Sequence, residues 1–259
     1  MPPHAATLPP EKELRQREEE LARLEQELAE EELLLSTAKG ELHLFEKSYN
    51  QVVGAKFAEF DEIRAQILEL AARFDPRQEK LRTDAQTARD EADQSARESK
   101  QTPDPPKEKT FHPSEELRKL FRDAAKRIHP DLTTDKEERE RRHQLMARLN
   151  QAYDELDQAK IESILQEWEE KGHPKDELSI GARLVQKSRQ IGQVKTRLKK
   201  IRADLEQLEN SEMFKLKEKV EQMKKYDRDV VREIAADIDK KIARVKNRLL
   251  ELAGELIHL

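Results

Sequence analysis

The sequence predicts an all-α protein in which a central pair of short helices is flanked by long antiparallel coiled-coil helical hairpins. Three observations carry that expectation. Charged residues make up 41% of the 259 positions against 35% hydrophobic and 4% aromatic, which suits helices burying one stripe each rather than one deep core. Apolar residues recur every seven positions over long tracts at both ends of the chain. Only six glycines are present, and the eleven prolines gather mostly at the N-terminus and between the helical tracts.

The opening stretch, residues 1–10, is proline-rich and reads as disordered. A helical arm follows over 11–100. Leu14, Leu21, Leu28, Leu35, Leu42 and Tyr49 form one line of its seam. Leu24, Ala38, Phe45 and Val52 form the companion line, which Arg17 and Glu31 interrupt. The phase slips around Val53-Gly54 and resumes through Phe57, Phe60, Ile63 or Arg64, Ile67, Leu70 and Phe74. Beyond Leu81 the stripe turns small, with Ala85, Ala88, Ala92 and Ala96. Alanine buries too little area to hold a lone helix, so another helix must approach it closely. The economical arrangement is a hairpin turning near Gly54, with the alanine stripe antiparallel to the leucine stripe. A single long helix that dimerises through its leucines is the alternative.

Residues 101–113 read as a linker, because Pro103, Pro105 and Pro106 cannot continue a helix. A different pattern begins at Ser114, a natural N-cap followed by Glu115 and Glu116. Leu117, Leu120, Phe121, Ala124, Ala125 and Ile128 then recur at spacings of three and four. Arg118, Lys119, Arg122, Lys126 and Arg127 lie between them, with Asp123 the only acid. Pro130 disfavours helix at the residue before it, so this helix ends at His129-Pro130-Asp131, a short exposed turn. Thr133 or Thr134 can cap a second helix, apolar at Leu145, Met146, Leu149, Ala152, Tyr153 and Leu156.

This segment, RKLFRDAAKRIHPDLTTDKEERERRHQLMARLNQAYDEL, resembles the second and third helices of a J domain, over roughly Pro113 to Gln158. The resemblance implies a buried face of Leu117, Phe121, Ala125, Met146, Leu149, Tyr153 and Leu156. It also implies a partner-binding surface of His129, Pro130, Asp131, Arg118, Lys119, Arg122, Lys126 and Arg127, docking on a DnaK-type chaperone ATPase. The family's usual first helix is missing, and only Phe111-His112-Pro113 precedes the module. Its usual fourth helix is also missing. A short helix carrying Ile161, Ile164, Leu165 and Trp168 stands within the module, 114–171, as a replacement support. The glycine/phenylalanine-rich segment and four-cysteine zinc modules of client-binding members are absent.

A second break at 172–178 leads into a C-terminal arm over 179–257. Leu184, Ile191, Leu198 and Leu205 repeat every seven residues with Val194, Ile201 and Leu208 as companions. After a break at Asn210-Ser211-Glu212 and a short bridging helix, a final helix runs from Val230 to Leu256. The two long helices read as an antiparallel hairpin, and the β-branched stretch from Val231 to Val245 equally favours a homodimer.

Other functions find little support. Cysteine is absent, which removes disulfides, a thiol nucleophile and thiolate-bound zinc. The net charge of -5 comes from closely mixed acids and bases, so nucleic acid is not an expected partner. No apolar run is long enough for stable membrane insertion, and a cytoplasmic location is expected. With no glycine-rich phosphate loop and no zinc-like histidine spacing, neither catalytic residues, metal nor cofactor are expected. The expected function is a non-enzymatic co-chaperone whose arms dimerise or target it to an unknown client. The alternative is a coiled-coil adaptor or scaffold whose J-like module stimulates no ATPase.

Overall fold

A computed structural model describes residues 9–100, 111–170 and 178–257. Most of the expected disordered start and of both linkers lies outside the described residues. The described chain is all-helical: α1 (Pro10–Tyr49), α2 (Ala55–Phe74), α3 (Glu79–Lys100), α4 (Glu115–Ile128), α5 (Lys136–Asp154), α6 (Gln158–Glu170), α7 (Ile180–Glu209), α8 (Glu212–Lys224) and α9 (Val230–Ile257). It divides into two compact units, Met1–Glu41 with Phe111–Ser211 and Leu42–Thr110 with Glu212–Leu259.

In the first unit the leucine stripe of α1 packs on α7. Leu21, Leu28 and Leu35 share a core with Ile191, Val194, Leu198 and Ile201. Ion pairs fix the direction: Glu18 with Arg183, Glu20 with Lys195, and Glu32 with Arg197. Both numbers rise together, so α1 and α7 run parallel. The partner of the leucine stripe is therefore the C-terminal arm, not the alanine helix that the sequence suggested. A heptad seam states how an element packs but not which seam it meets.

In the second unit the alanine helix does sit in a hairpin, but with α2 rather than with the leucine stripe, and its turn lies between Phe74 and Glu79 instead of near Gly54. Ala88 and Ala92 of α3 pack on Ala65 and Leu68 of α2. Arg89 bridges Glu62 and Glu69, and Arg64 meets Glu91, across an antiparallel pair. Gly54, where the turn was expected, is helical at φ -61 and ψ -41. It closes a π-helical stretch, Asn50–Gly54, that buries Val53. A π-bulge adds a residue to the ladder, which explains why the seam slips there without the chain turning. Ile238 and Ile242 of α9 join Val53 and Ile63. The seam of α9 is thus taken by the N-terminal arm, and Lys56–Asp239 and Glu59–Lys246 mark that pairing as parallel too.

Candidate functional site

The site sits in the first unit, on the pair α4–α5. Ser114 caps α4 by accepting the amide of Leu117 at 3.1 Å. Leu117, Phe121, Ala124, Ala125 and Ile128 are buried, leaving the charged side chains on the opposite face. The helix stops at Ile128, and His129 adopts extended backbone at φ -60, ψ 131, as the following proline requires. Pro130–Leu132 form one 3₁₀ turn. Asp135, rather than Thr133 or Thr134, caps α5 by accepting the amide of Glu138 at 2.8 Å.

Tyr153 is fully buried against Phe121, with ring centroids 4.7 Å apart, and against Phe111 at 5.8 Å. Met146 and Leu149 lie in the same core. Leu156 does not. The helix α5 ends at Asp154, and Leu156 takes a left-handed φ of 56 in the closing turn, leaving it 38% exposed. Its neighbour Asp157 donates back to the Ala152 carbonyl at 2.8 Å, the wiring of a Schellman cap in which glycine is the usual occupant. Ile161, Ile164 and Trp168 of α6 close the bottom of the pair.

The helix α1 also packs against this pair. Its leucines face α7, while Ala29, Glu32, Ser36 and Gly40 form a second buried stripe. Ser36 donates to Asn150 Oδ1 at 3.4 Å, and the Thr37 hydroxyl lies 2.9 Å from the Tyr153 hydroxyl. The Phe111 ring presses so closely on Gly40 that an added Cβ would come within 2.6 Å of it.

The His-Pro-Asp turn is not the exposed tip the sequence suggested. His129 is 2% exposed and Pro130 is buried, while the Asp131 side chain keeps 24% of its surface. The imidazole Nδ1 accepts the amide of Asp131 at 3.1 Å, which leaves the Nε2 proton to be donated to Glu32 at 3.0 Å. Glu32, itself 2% exposed, is gripped from α7 by Arg197 through Nε at 2.7 Å and Nη2 at 3.0 Å. Such a two-point contact orients both groups. Burial pushes the Glu32 carboxyl up, but the bonds from His129 and Arg197 outweigh it and hold it below the usual carboxylate range. Burial likewise pulls the Arg197 guanidinium down, and Glu32, aided by Asp131, more than restores it.

Two further contacts hold the turn. Gln190 of α7 donates to the Leu132 carbonyl at 2.7 Å, and the Leu132 side chain packs on the α1–α7 core. Arg142 of α5 donates to the His129 carbonyl at 3.2 Å and stacks over the Trp168 ring at 4.7 Å. The turn and Glu32 form one wall of a groove of about 1020 Å³, which Arg139, His143, Arg189 and Lys200 also line.

The basic residues fall into two groups. Arg118 pairs with Glu115 at 3.3 Å and Arg127 with Glu169 at 2.6 Å. Lys119, Arg122 and Lys126, spaced by three and four along one face, form no ion pair with a described residue. The structure thus gathers the tripeptide and the cationic stripe on one helical pair but gives them opposite surroundings. Sequence reasoning missed Glu32, Gln190 and Arg197. The signal was present in Ala29, Ser36 and Gly40, small residues aligned with Glu32 beside the leucine seam, which mark a helix buried on two sides. No family model, curated protein or solved structure matches the chain. The all-helical fold and its His-Pro-Asp turn are consistent with a J-domain-like module.

Proposed function

We propose that this protein is a J-domain-like co-chaperone that docks on a DnaK-type chaperone ATPase and stimulates hydrolysis through the His129-Pro130-Asp131 turn. The observation that carries this reading is the cationic stripe of Lys119, Arg122 and Lys126, which forms no ion pair among the described residues and runs along α4 toward Asp131. Charges so placed steer an acidic partner surface into register, accelerating association more than they tighten the final complex. Stimulation then comes from shifting the partner's conformational population, and no substrate is transformed on this chain. The flanking helices supply targeting or client contacts.

The test is steady-state turnover of a DnaK-type ATPase with the full chain. Wild type should stimulate. Asp131→Asn should abolish stimulation while binding persists, and Lys119→Glu with Lys126→Glu should slow association. Absence of both stimulation and binding in wild type overturns the reading.

One observation favours the second reading, a coiled-coil adaptor: His129 is built into the contact with α1 and α7, where a passive spacer would keep it. A homodimer is a separate proposal. The leucine seam of α1 is taken by α7, so a dimer would use other surface, such as exposed Val185 and Ile180 at the start of α7. Light scattering at several concentrations should then report twice the monomer mass.

A further inference from the structure

We propose that Glu32 and Arg197 form a latch that holds the His-Pro-Asp turn shut, so that a chaperone ATPase engages it only when α1 and α7 part beside it. The inference rests on the co-chaperone reading and adds its regulation. Two contacts hold the stretch His129–Leu132, and a third braces the first. Glu32 of α1 accepts the ring N–H of His129, Gln190 of α7 holds the Leu132 carbonyl, and Arg197 of α7 clamps Glu32 in place. A side chain 2% exposed presents no surface to another protein, whatever its chemistry. Of the residues that would steer the partner, in contrast, Lys119 and Lys126 are exposed and Arg122 is half-buried. Encounter and engagement are therefore separate events: α4 can be met in the closed form, and His129 cannot.

The latch is built for release rather than for permanence. Its centre is an ion pair between a buried carboxylate and a half-buried guanidinium at the margin of an aliphatic seam. Such a pair gives up much of its attraction to desolvation, whereas well-packed apolar side chains would hold the same place without that loss. Beneath the turn the seam is continuous, through Leu28, Leu35, Leu198 and Ile201, so local separation need not unfold the pair.

The test uses the full chain and two readouts. Diethyl pyrocarbonate labelling of His129, located by peptide mass spectrometry, reports opening without any partner; ATPase stimulation of a DnaK-type chaperone reports function. Glu32→Gln should raise both, by about threefold or more, if the closed form dominates in wild type. The chain has no cysteine, so cysteines placed at Glu27 and Arg202, whose side chains now meet at 2.5 Å, can be joined by a short bismaleimide. That tether should return labelling and stimulation in Glu32→Gln toward wild type, which excludes misfolding as the cause of the gain. Unchanged labelling in Glu32→Gln overturns the latch. Raised labelling beside unchanged stimulation, in a wild type that does stimulate, overturns the gate alone. Raised labelling with neither binding nor stimulation in any form overturns the co-chaperone reading, and the gate with it.

Discussion

The outer face of α4 and the turn at its end belong to one helical pair, yet the fold treats them oppositely. Lys119, Arg122 and Lys126 have no ion-pair partner among the described residues. His129, one residue past the same helix, is bonded from α1 and lies beneath a clamp from α7. A short motif thus carries two kinds of information. Its residue types define what chemistry is available, and the rest of the chain decides whether that chemistry is accessible. Variants along the pair should separate these contributions.

The largest effect is expected where both roles are structural. Tyr153→Ala removes a fully buried ring that meets Phe111 and Phe121, and should cost about 3–5 kcal/mol in urea unfolding. A cost under about 1 kcal/mol would mean that the α4–α5 core is looser than described.

At the turn, His129→Ala should cost about 1–3 kcal/mol, because it leaves the buried Glu32 carboxylate short of a donor. Asp131→Asn, at a partly exposed position, should stay within about 0.5 kcal/mol. Equal effects at the two positions would erase the contrast between a buried and an open side of the turn.

Gly40→Ala forces a Cβ against the Phe111 ring and should cost about 1–3 kcal/mol. Gly192→Ala in α7 meets nothing within 4 Å and should gain up to about 1 kcal/mol from helix propensity. Thermal unfolding of the two variants compares a glycine needed for close approach with one that is not.

The smallest effect is one of pH. The folded Glu32 carboxyl is held below its ordinary value of 4.5, so its bonds contribute fully above that value. That contribution is lost as pH falls through the lowered folded value. Glu32→Gln lacks this titration. The stability gap between wild type and Glu32→Gln should therefore shrink as pH falls below 4.5, and a constant gap would show that Glu32 is not preferentially stabilised as a carboxylate.

Much of the local structure was legible in the sequence. The Ser114 cap, the stop before Pro130, the buried face of α4 and the separate helix through Trp168 follow from spacing and backbone chemistry. The small seam at Ala88 and Ala92 correctly demanded a close neighbour. Pairing was not legible, because heptads of similar composition are interchangeable partners until the whole chain is assembled. At Gly54 the phase slip was visible but has two causes, a turn or a π-bulge, and periodicity does not separate them. Leu156 was placed in the core because its spacing continues that of Tyr153, although the helix had already ended. Glu32 was hidden by its residue type: a glutamate on a charged helix is usually solvated, and only the distant His129 and Arg197 make it a buried one.

A double-mutant cycle on Glu32 and His129, with each changed to alanine singly and together in the full chain, tests the central claim most directly. If the turn is held by α1 in solution, the two substitutions should be non-additive, with a coupling energy of about 1 kcal/mol or more. Additive effects would place His129 away from Glu32 and leave the turn open to solvent.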